Sequence, residues 1–266
     1  MPDLNLIVTV LGAILAYTTG AWLLSLWLKD SGIMDVFWGP GFLLAVGFAS
    51  FLDPGTGWRI SMVHSLVGFW AIRLALHIGA RNAGQPEDAR YAKWRSEAGD
   101  AWWWMSWFKV FLLQGVIMWV VAWPLLAMVT STSPGPAGLL VWVGEALFFG
   151  GVVFEAVADW QLTRFKAIEA NRGKVLDTGL WRYSRHPNYF GESVIWVGVG
   201  FWALSLPGGW PLLVGPALMI WLIIKVSGVA MLDKHLKDAK PKYRDYMRGT
   251  SAFVPLPPRN ASGDHE

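Results

Sequence analysis

Long apolar runs constrain this chain more than any other feature of its sequence. Runs of about 20 residues, the length that crosses the hydrocarbon core of a bilayer as a helix, recur along all 266 residues. Backbone groups in lipid must form their hydrogen bonds within a helix or a closed barrel, and no short alternating strands are visible. With 54% hydrophobic and 15% charged residues, the chain is predicted to be an all-α polytopic membrane protein.

The apolar runs predict seven transmembrane helices. The predicted spans cover residues 4–28, 34–52, 58–80, 107–130, 138–158, 190–206 and 210–230. With this count, and with the border residues Lys109 and Lys225 included, 20 of the 22 Lys and Arg residues fall on the side to which the odd-numbered helices lead. Because cytoplasmic segments are enriched in Lys and Arg, we expect the N-terminus outside and the C-terminus in the cytoplasm.

The composition excludes several function classes. The basic residues behind the net charge of +3 mark one membrane face, so we expect no nucleic-acid partner. The chain has no cysteine, which excludes disulfides, thiol catalysis, thiolate zinc sites and iron–sulfur clusters. No set of His and carboxylate residues has the spacing of metal ligands, and no metal is expected.

The first long polar segment on the cytoplasmic side, residues 81–106, has a helical phase around Tyr91 and Trp94. Three consecutive tryptophans follow, and we expect them at the membrane interface, where indole rings concentrate. Tyr91 is a candidate source of a phenol for a nearby site, with simple packing as the alternative.

The second such segment, residues 159–189, continues the fifth span as an amphipathic helix that ends near Gly173. After an extended crossing, Pro187 suits the first turn of the sixth helix, because its ring presets the backbone and it lacks the N–H that would be free there. In the C-terminal segment we expect a short helix that ends at Gly249, then a Pro-rich terminus that frays.

Polar side chains gather in LWRYSRHPNYFGESVIW, residues 180–196, at the start of the sixth helix. The free N–H groups and dipole of that helix form an anion site, and three cations flank it: Arg182, Arg185 and His186. Asn188 and Glu192 lie four residues apart and share one helix face. The alternative is that Arg185 and Glu192 form a structural ion pair and the aromatic residues an interfacial belt.

Asp35 stands at the cytoplasmic border of the second span, with Trp38 one turn further along. A carboxylate at this depth must be paired or hydrogen-bonded, so Asp35 is a candidate acid, with helix capping as the alternative. The third span presents Arg73, His77 and Arg81 at a spacing of four. We expect Arg73 to pair with Asp35 and His77 to supply a proton.

Several motifs resemble one superfamily of membrane enzymes. GLWRYSRHPNYFGE is similar to the signature that joins the steroid 5-alpha-reductases and related lipid enone reductases to the isoprenylcysteine carboxyl methyltransferases. The chain is most similar to a bacterial, steroid-reductase-like branch, which also has the motifs DVFWGPGF, EDARYAKWR and SAFVPLPPR present here. The resemblance covers both ends and the middle of the chain, but RHPNY alone does not separate reductase from methyltransferase.

The resemblance to the reductases implies a seven-helix fold that binds NADPH from the cytoplasm while a lipid-like enone enters between the N-terminal helices. It implies a single membrane domain, with residues 1–106 on the substrate side and 107–266 on the cofactor side. It assigns to the cofactor Asp159, Lys166, Lys174, Asn188 and Glu192, with His235 and Tyr243 as the nearest equivalents of a family His and Tyr.

Phosphate recognition must differ from that of a Rossmann module, because the chain has no GxGxxG at a strand-to-helix turn. We expect cations to bind the phosphates, namely Lys166, Arg172, Lys174, Arg182, Arg185 and Arg244, with Tyr183 and His186 completing the site. The two lysines stand where the animal enzymes usually have arginine. Trp38 stands where those enzymes have the Glu that polarises the substrate carbonyl, three residues after Asp35.

The predicted reaction is NADPH-dependent reduction of the C=C bond of a lipophilic α,β-unsaturated ketone, such as a 3-oxo-4-ene steroid. The predicted catalytic residues are Asp35, Trp38, His77 and Tyr91. We expect a bacterial inner-membrane monomer whose partners are membrane lipids and a lipophilic substrate from the bilayer. The alternatives are an S-adenosylmethionine-dependent methyltransferase of the isoprenylcysteine type and a non-catalytic membrane scaffold or haem-associated subunit.

Overall fold

A computed structural model of the chain describes residues 2–132, 138–226, 229, 233 and 243–259. These residues form helices and connecting segments, with no strand among them. The α-helices are α1 Leu4–Leu28, α2 Ile33–Leu52, α3 Trp58–Asn82, α4 Ala89–Ala98, α5 Trp102–Ser106, α6 Leu113–Val129, α7 Leu139–Ala167, α8 Pro187–Leu204, α9 Val214–Trp221 and α10 Tyr243–Gly249. The prediction of an all-helical chain is confirmed for this part of the molecule.

Shorter helical turns join several of these elements. A 3₁₀ turn at Gly99–Ala101 and a π-helical turn at Trp107–Leu112 connect α4, α5 and α6 into one helical stretch. Further 3₁₀ turns lie at Glu169–Asn171, Gly179–Arg182 and Trp210–Leu213, and a second π-helical turn lies at Leu222–Val226.

Five helical stretches of the described residues are long and apolar enough to cross a membrane: Leu4–Leu28, Ile33–Leu52, Trp58–Asn82, Ala89–Val129 and Leu139–Ala167. They overlap the first five predicted spans, although the fourth stretch begins well before residue 107 and the fifth continues past residue 158. The regions of the sixth and seventh predicted spans are also helical, as α8 and as a shorter apolar helix Trp210–Val226. The architecture is that of a helical membrane protein with five candidate spans.

Two compact units make up the chain. The first comprises Met1–Gly138 and Trp202–Gly215, and the second Leu139–Phe201 and Pro216–Glu266. The boundary at 138 concerns packing, whereas the predicted division at residue 106 concerns function and stays a prediction.

In the first unit, α2 packs against α1, α3 and α6. Asp3 caps α1 by accepting a hydrogen bond from the Leu6 N–H at 2.7 Å, as short polar side chains do at helix starts. The core of the unit is apolar, with large buried side chains that include Phe42, Trp70 and Met118. This packing fixes the α1–α2 turn, which contacts Glu87 in the segment between α3 and α4.

In the second unit, α7 and α8 approach each other closely through glycines. A Cβ at Gly191 of α8 would lie 2.7 Å from the Glu155 backbone N of α7, and one at Gly151 would lie 2.7 Å from the Gly191 carbonyl O. Small residues permit such close helix contacts in membranes. The crossing brings the polar side chains of the two helices onto one seam.

The segment after α10 is firmly attached, contrary to the predicted fraying. The Arg185 N–H donates to the Ser251 carbonyl at 2.9 Å, and the Leu256 N–H donates to the Tyr183 carbonyl at 3.0 Å. The Ser184 hydroxyl also donates to the Phe253 carbonyl at 2.7 Å. Proline tolerates extended backbone that needs no N–H, so the Pro-rich composition suits this attached segment, residues 250–259, which we call the strap.

Candidate functional site

The first polar group of interest surrounds Asp35 in the first unit. Asp35 lies in the first turn of α2, where its carboxylate accepts hydrogen bonds from the Tyr91 hydroxyl at 3.1 Å and from Arg90 Nη2 at 3.3 Å. The Tyr91 oxygen in turn accepts a hydrogen bond from Gln114 Nε2 at 3.4 Å. Tyr91 is only 4% exposed, whereas the Asp35 side chain is 24% exposed, so the pair of acidic groups is partly sheltered from solvent.

Hydrogen bonds to the Glu87 carboxylate position α4, and with it Tyr91. Glu87 accepts a hydrogen bond from the Ser31 N–H at 2.7 Å and two from the Arg95 guanidinium at 2.8 and 2.9 Å. Burial by itself raises the pKa of Glu87, but these hydrogen bonds outweigh burial and lower the pKa below its usual value. The ionised carboxylate therefore ties α4 to the turn between α1 and α2.

Asp88 completes the start of α4. Its carboxylate caps the helix by accepting a hydrogen bond from the Arg90 N–H at 2.9 Å, and it also accepts one from Arg90 Nε at 2.9 Å. Burial raises the pKa of Asp88, yet the hydrogen bonds from Arg90 bring it below its usual value. Asp88 thus holds the guanidinium that contacts Asp35.

These contacts bring together two of the four predicted catalytic residues, Asp35 and Tyr91. The cation beside Asp35 is Arg90, and the expectation of a pair with Arg73 is wrong. Trp38 packs edge-on against Phe42, with ring centroids 5.4 Å apart. His77 lies partly exposed on α3.

The second polar group surrounds Asp233 in the second unit. Arg185 donates to both carboxylate oxygens of Asp233, from Nε at 3.3 Å and from Nη2 at 2.5 Å. His186 Nε2 lies 2.8 Å from Asp233 Oδ1, and the Tyr243 hydroxyl donates to the same oxygen at 2.6 Å. Three predicted cofactor residues are thus gathered on one carboxylate.

Arg185 is fully engaged with the protein. Besides Asp233, its Nη1 donates to the Met247 and Thr250 carbonyls at 3.1 and 2.8 Å, and its side chain is 8% exposed. The ion pair of Arg185 is therefore with Asp233, and the alternative pair with Glu192 is wrong. Arg185 ties the start of α8 to α10 and to the strap.

The seam between α7 and α8 has three buried acids, Glu155, Asp159 and Glu192. Asp159 Oδ1 accepts a hydrogen bond from Asn188 Nδ2 at 3.2 Å, and Glu192 Oε1 accepts one from Trp196 Nε1 at 2.8 Å. Asp159 and Glu192 are each buried. The structure therefore joins three predicted cofactor residues, Asp159, Asn188 and Glu192, to this one crossing.

A basic cavity of about 370 Å³ lies beyond the end of α7. Its lining includes three cations and one carboxylate, and apolar side chains complete the wall: Leu162, Phe165, Lys166, Glu169, Asn171, Arg172, Gly173, Lys174 and Leu176. Gly173 has a φ of 77°, a conformation that glycine adopts readily and that turns the chain back to form the cavity. Arg172 donates to Glu169 at 3.2 Å across an exposed edge.

The remaining predicted cofactor residues lie at the surface or outside the described residues. Arg182, Tyr183 and Arg244 are exposed. His235 lies outside the described residues. Within the described part of the chain, no three His, Asp or Glu residues are arranged to hold a metal ion.

Sequence reasoning missed Asp233, Arg90 and Glu87. Each acts through a contact across a long sequence separation: 48 residues for Arg185 and Asp233, 55 for Arg90 and Asp35, and 56 for Ser31 and Glu87. The signal for Asp233 was a lone carboxylate following an apolar helix. The signal for Glu87 was its spacing of eight residues from Arg95 on the flank of α4.

Comparison with known proteins shows which family the sequence matches. Residues 21–250 match the family described as Protein of unknown function (DUF1295). The chain is 25% identical to the uncharacterized protein C594.04c of Schizosaccharomyces pombe, over 92% of this chain and 79% of the yeast protein. No solved structure matches the chain significantly. Both polar groups and the basic cavity lie within the matched residues.

Proposed function

Since the chain belongs to the DUF1295 family, which is described as a family of unknown function, we propose a function from the geometry of its two units. We infer that it reduces the C=C bond of a lipophilic α,β-unsaturated ketone in the membrane, with NADPH as the reductant. A 3-oxo-4-ene steroid or a similar lipid is the proposed substrate class.

The observation that most supports the proposal is the basic cavity of the second unit. Its lining contains three cations, Lys166, Arg172 and Lys174, and one carboxylate, Glu169. Its volume of about 370 Å³ lies within the range of about 300 to 1,000 Å³ that small-molecule pockets occupy. A phosphorylated dinucleotide suits such a lining, whereas S-adenosylmethionine has a sulfonium cation and no phosphate. The cavity therefore favours the reductase over the methyltransferase.

The Asp35–Tyr91 pair supports the second half of the proposal. Reduction of an enone delivers a hydride to the β carbon, while negative charge develops on the carbonyl oxygen and a proton adds at the α carbon. The phenol of Tyr91 is a hydrogen-bond donor that would polarise the carbonyl, and the carboxyl of Asp35 would be a second donor once it is protonated. His77 is the proposed further proton source. When bound, NADPH would supply the hydride.

The membrane placement belongs to the same proposal. We infer seven spans with the N-terminus outside, so that α8 and Trp210–Val226 cross in addition to the five long apolar stretches. The phosphate-binding cations then face the cytoplasm, in a bacterial inner membrane, and the substrate enters from the bilayer. The protein acts as a monomer among lipids, with no nucleic-acid partner.

Ligand titration tests the proposal. The protein in lipid nanodiscs would be titrated with NADPH, NADH and S-adenosylmethionine while its abundant Trp fluorescence is recorded. We expect quenching by NADPH and none by S-adenosylmethionine. Quenching by S-adenosylmethionine alone would replace the reductase with the methyltransferase, and binding of neither would favour a scaffold. Oxidation of NADPH would then be followed at the nicotinamide absorbance band, with a steroid 4-en-3-one added.

A charge-reversal variant tests whether NADPH binds in the basic cavity. Lys174→Glu places a carboxylate in the basic cavity, and we expect it to weaken NADPH binding by at least about tenfold, because it removes one favourable charge interaction and adds a repulsive one. The matched control is Lys93→Glu, an exposed lysine of α4, which should leave the affinity unchanged. Equal affinities of the two variants would move the phosphates away from this cavity.

A further inference from the structure

His186 has an unusual environment for a buried imidazole. Its side chain is 1% exposed, its Nε2 lies 2.8 Å from Asp233 Oδ1, and its ring stacks on Tyr189. Its Nδ1 has no hydrogen-bond partner among the residues that the structure describes. One ring nitrogen is therefore held by a carboxylate, while the other is buried without a protein partner in the described chain.

The surroundings of Asp233 determine which nitrogen holds the proton. Asp233 already accepts hydrogen bonds from the cationic Arg185 and from the Tyr243 hydroxyl. An ionised carboxylate is an acceptor only, so Nε2 must donate. A second proton on Nδ1 would bury an N–H donor that lacks an acceptor, which costs free energy. The neutral tautomer with the proton on Nε2 leaves an acceptor lone pair on Nδ1.

The backbone around His186 holds the ring in place. The His186 N–H donates to the Ser184 hydroxyl at 3.1 Å, and the neighbouring Arg185 N–H donates to the Ser251 carbonyl at 2.9 Å. The next residue, Pro187, begins α8, and Asn188 binds Asp159 of α7. The Nδ1 lone pair thus belongs to the residue directly before α8, two positions before Asn188 of the seam.

We propose that Asp233 is a positioning residue that fixes His186 in the Nε2–H tautomer, so that Nδ1 accepts a hydrogen bond from an amide or amino N–H of the bound cofactor. This inference rests on the proposed function for the identity of the ligand. The tautomer itself does not depend on that identity. A carboxylate that orients a histidine through one nitrogen and tunes the other is a common arrangement in functional sites.

Nuclear magnetic resonance of histidine ring nitrogens tests the inference. The full chain, labelled with ¹⁵N-histidine, would be recorded in nanodiscs at neutral pH, and the His186 signals assigned by their loss in His186→Gln. We expect a protonated Nε2 and an unprotonated Nδ1 without ligand, and a changed Nδ1 shift with NADPH. A proton on Nδ1 in the ligand-free protein would overturn the positioning role.

The same spectra separate this inference from the proposed function. An Nδ1 signal that stays unchanged while NADPH binds elsewhere, as judged by Trp quenching, would overturn the cofactor contact but not the reductase. Failure of NADPH to bind at all would overturn the reductase and the contact together, and the ligand-free tautomer would still decide the role of Asp233.

Variants of Asp233 and its neighbours test the tautomer of His186 in a second, independent way. Asp233→Ala removes the acceptor of the Nε2–H group, so we expect the single Nε2–H tautomer to give way to a mixture of tautomers and NADPH to bind about tenfold more weakly. Tyr243→Phe removes a neighbouring donor and should leave the tautomer unchanged. Asp245→Asn, at an exposed carboxylate of α10, controls for the affinity. A single, unchanged Nε2–H tautomer in folded Asp233→Ala would contradict the proposal.

Discussion

Asp35 and Tyr91 show how a single hydrogen bond can define a candidate acid. The Tyr91 hydroxyl donates to one oxygen of the Asp35 carboxylate, and Arg90 donates to the other oxygen. A substrate carbonyl that entered here would meet a phenol and a carboxyl in partly sheltered surroundings, where hydrogen bonds to developing charge have a greater effect than in water. The phenol can be removed without disturbing the Arg90 contact.

Replacing Tyr91 with Phe should therefore impair chemistry more than binding. We expect Tyr91→Phe to lower turnover of a 4-en-3-one by at least about 100-fold, the lower range for loss of a general acid, while the Kd for NADPH stays within about twofold. Steady-state rates and Trp quenching measure the two quantities. Lys93→Gln, on the exposed face of the same helix, is the control. A Tyr91→Phe protein with normal turnover would remove Tyr91 from the mechanism.

Asp233 predicts a pH dependence of stability. Burial by itself raises the pKa of Asp233, but hydrogen bonds from His186, Arg185 and Tyr243 outweigh it and hold the pKa well below its usual value. A carboxyl with a lowered folded-state pKa contributes stability that is fully present above its unfolded pKa, and the contribution is lost as the pH falls through the folded-state value.

The Asp233→Asn variant should therefore be destabilised most at neutral pH. We expect a deficit of about 3 kcal/mol at pH 7, as for the loss of one partner from a buried ion pair, and a deficit that narrows as the pH falls below about 4. Thermal unfolding in detergent across this range measures it. The control Asp245→Asn, at an exposed pair, should show little deficit at any pH, and a constant deficit for Asp233→Asn would contradict the assignment.

The α7–α8 crossing is the element on which the second polar group depends. Its close approach requires a glycine at 191, because a Cβ there would lie 2.7 Å from the Glu155 backbone N and 2.9 Å from the Gly151 carbonyl O. No neighbouring atom lies within 4 Å of a Cβ built at Gly150, on the same stretch of α7. The two glycines thus provide a matched pair.

We expect Gly191→Ala to destabilise the protein by about 1 to 3 kcal/mol, the usual cost of overpacking. Gly150→Ala should be neutral, or stabilising by up to about 1 kcal/mol, because alanine favours helix. Chemical unfolding of both variants in the same detergent measures the difference. Equal stabilities would mean that α7 and α8 do not approach through Gly191.

The helices could be predicted from the sequence to the extent that local signals define them. Apolar length predicted α1 and α3 to within two residues, and the fixed backbone of Pro187 predicted the start of α8. The strap after α10 could not be predicted, because its hydrogen bonds reach residues 183–185 across the chain. Proline content alone suggested a loose end, whereas attachment is decided by tertiary partners.

The candidate site could be predicted only in part, for the same reason. Residues of one motif, such as Asn188 and Glu192, share a helix face by spacing, and the structure places both on the seam. The partners of Asp35 and Arg185 come from distant segments, which a single sequence does not reveal. Arg185 consequently has a role in holding α8 to α10 that its position among other cations did not indicate.

For the whole molecule, the apolar runs of the sequence and the lengths of the helices give different numbers of spans. Five stretches of the described residues qualify by length and composition, whereas the apolar runs predict seven, and the 20 cations lie on one side with either odd number. The two counts differ in where they place the connection between α8 and the helix Trp210–Val226. With five spans this connection stays on the side of the basic cavity, and with seven it lies on the opposite side.

Single cysteines decide between these topologies, because the natural chain has none and labelling therefore has no background. We expect Asp53→Cys and Pro207→Cys to react with a membrane-impermeant maleimide in intact cells, and Ser96→Cys and Asp245→Cys to react only after permeabilisation. The positions 53, 96, 207 and 245 are exposed, so accessibility reports sidedness. Protection of Pro207→Cys in intact cells, with Asp53→Cys labelled, would reduce the count to five and leave α8 outside the set of crossing helices. Labelling of Ser96→Cys from outside would instead invert the orientation and move the proposed NADPH cavity away from its cofactor supply.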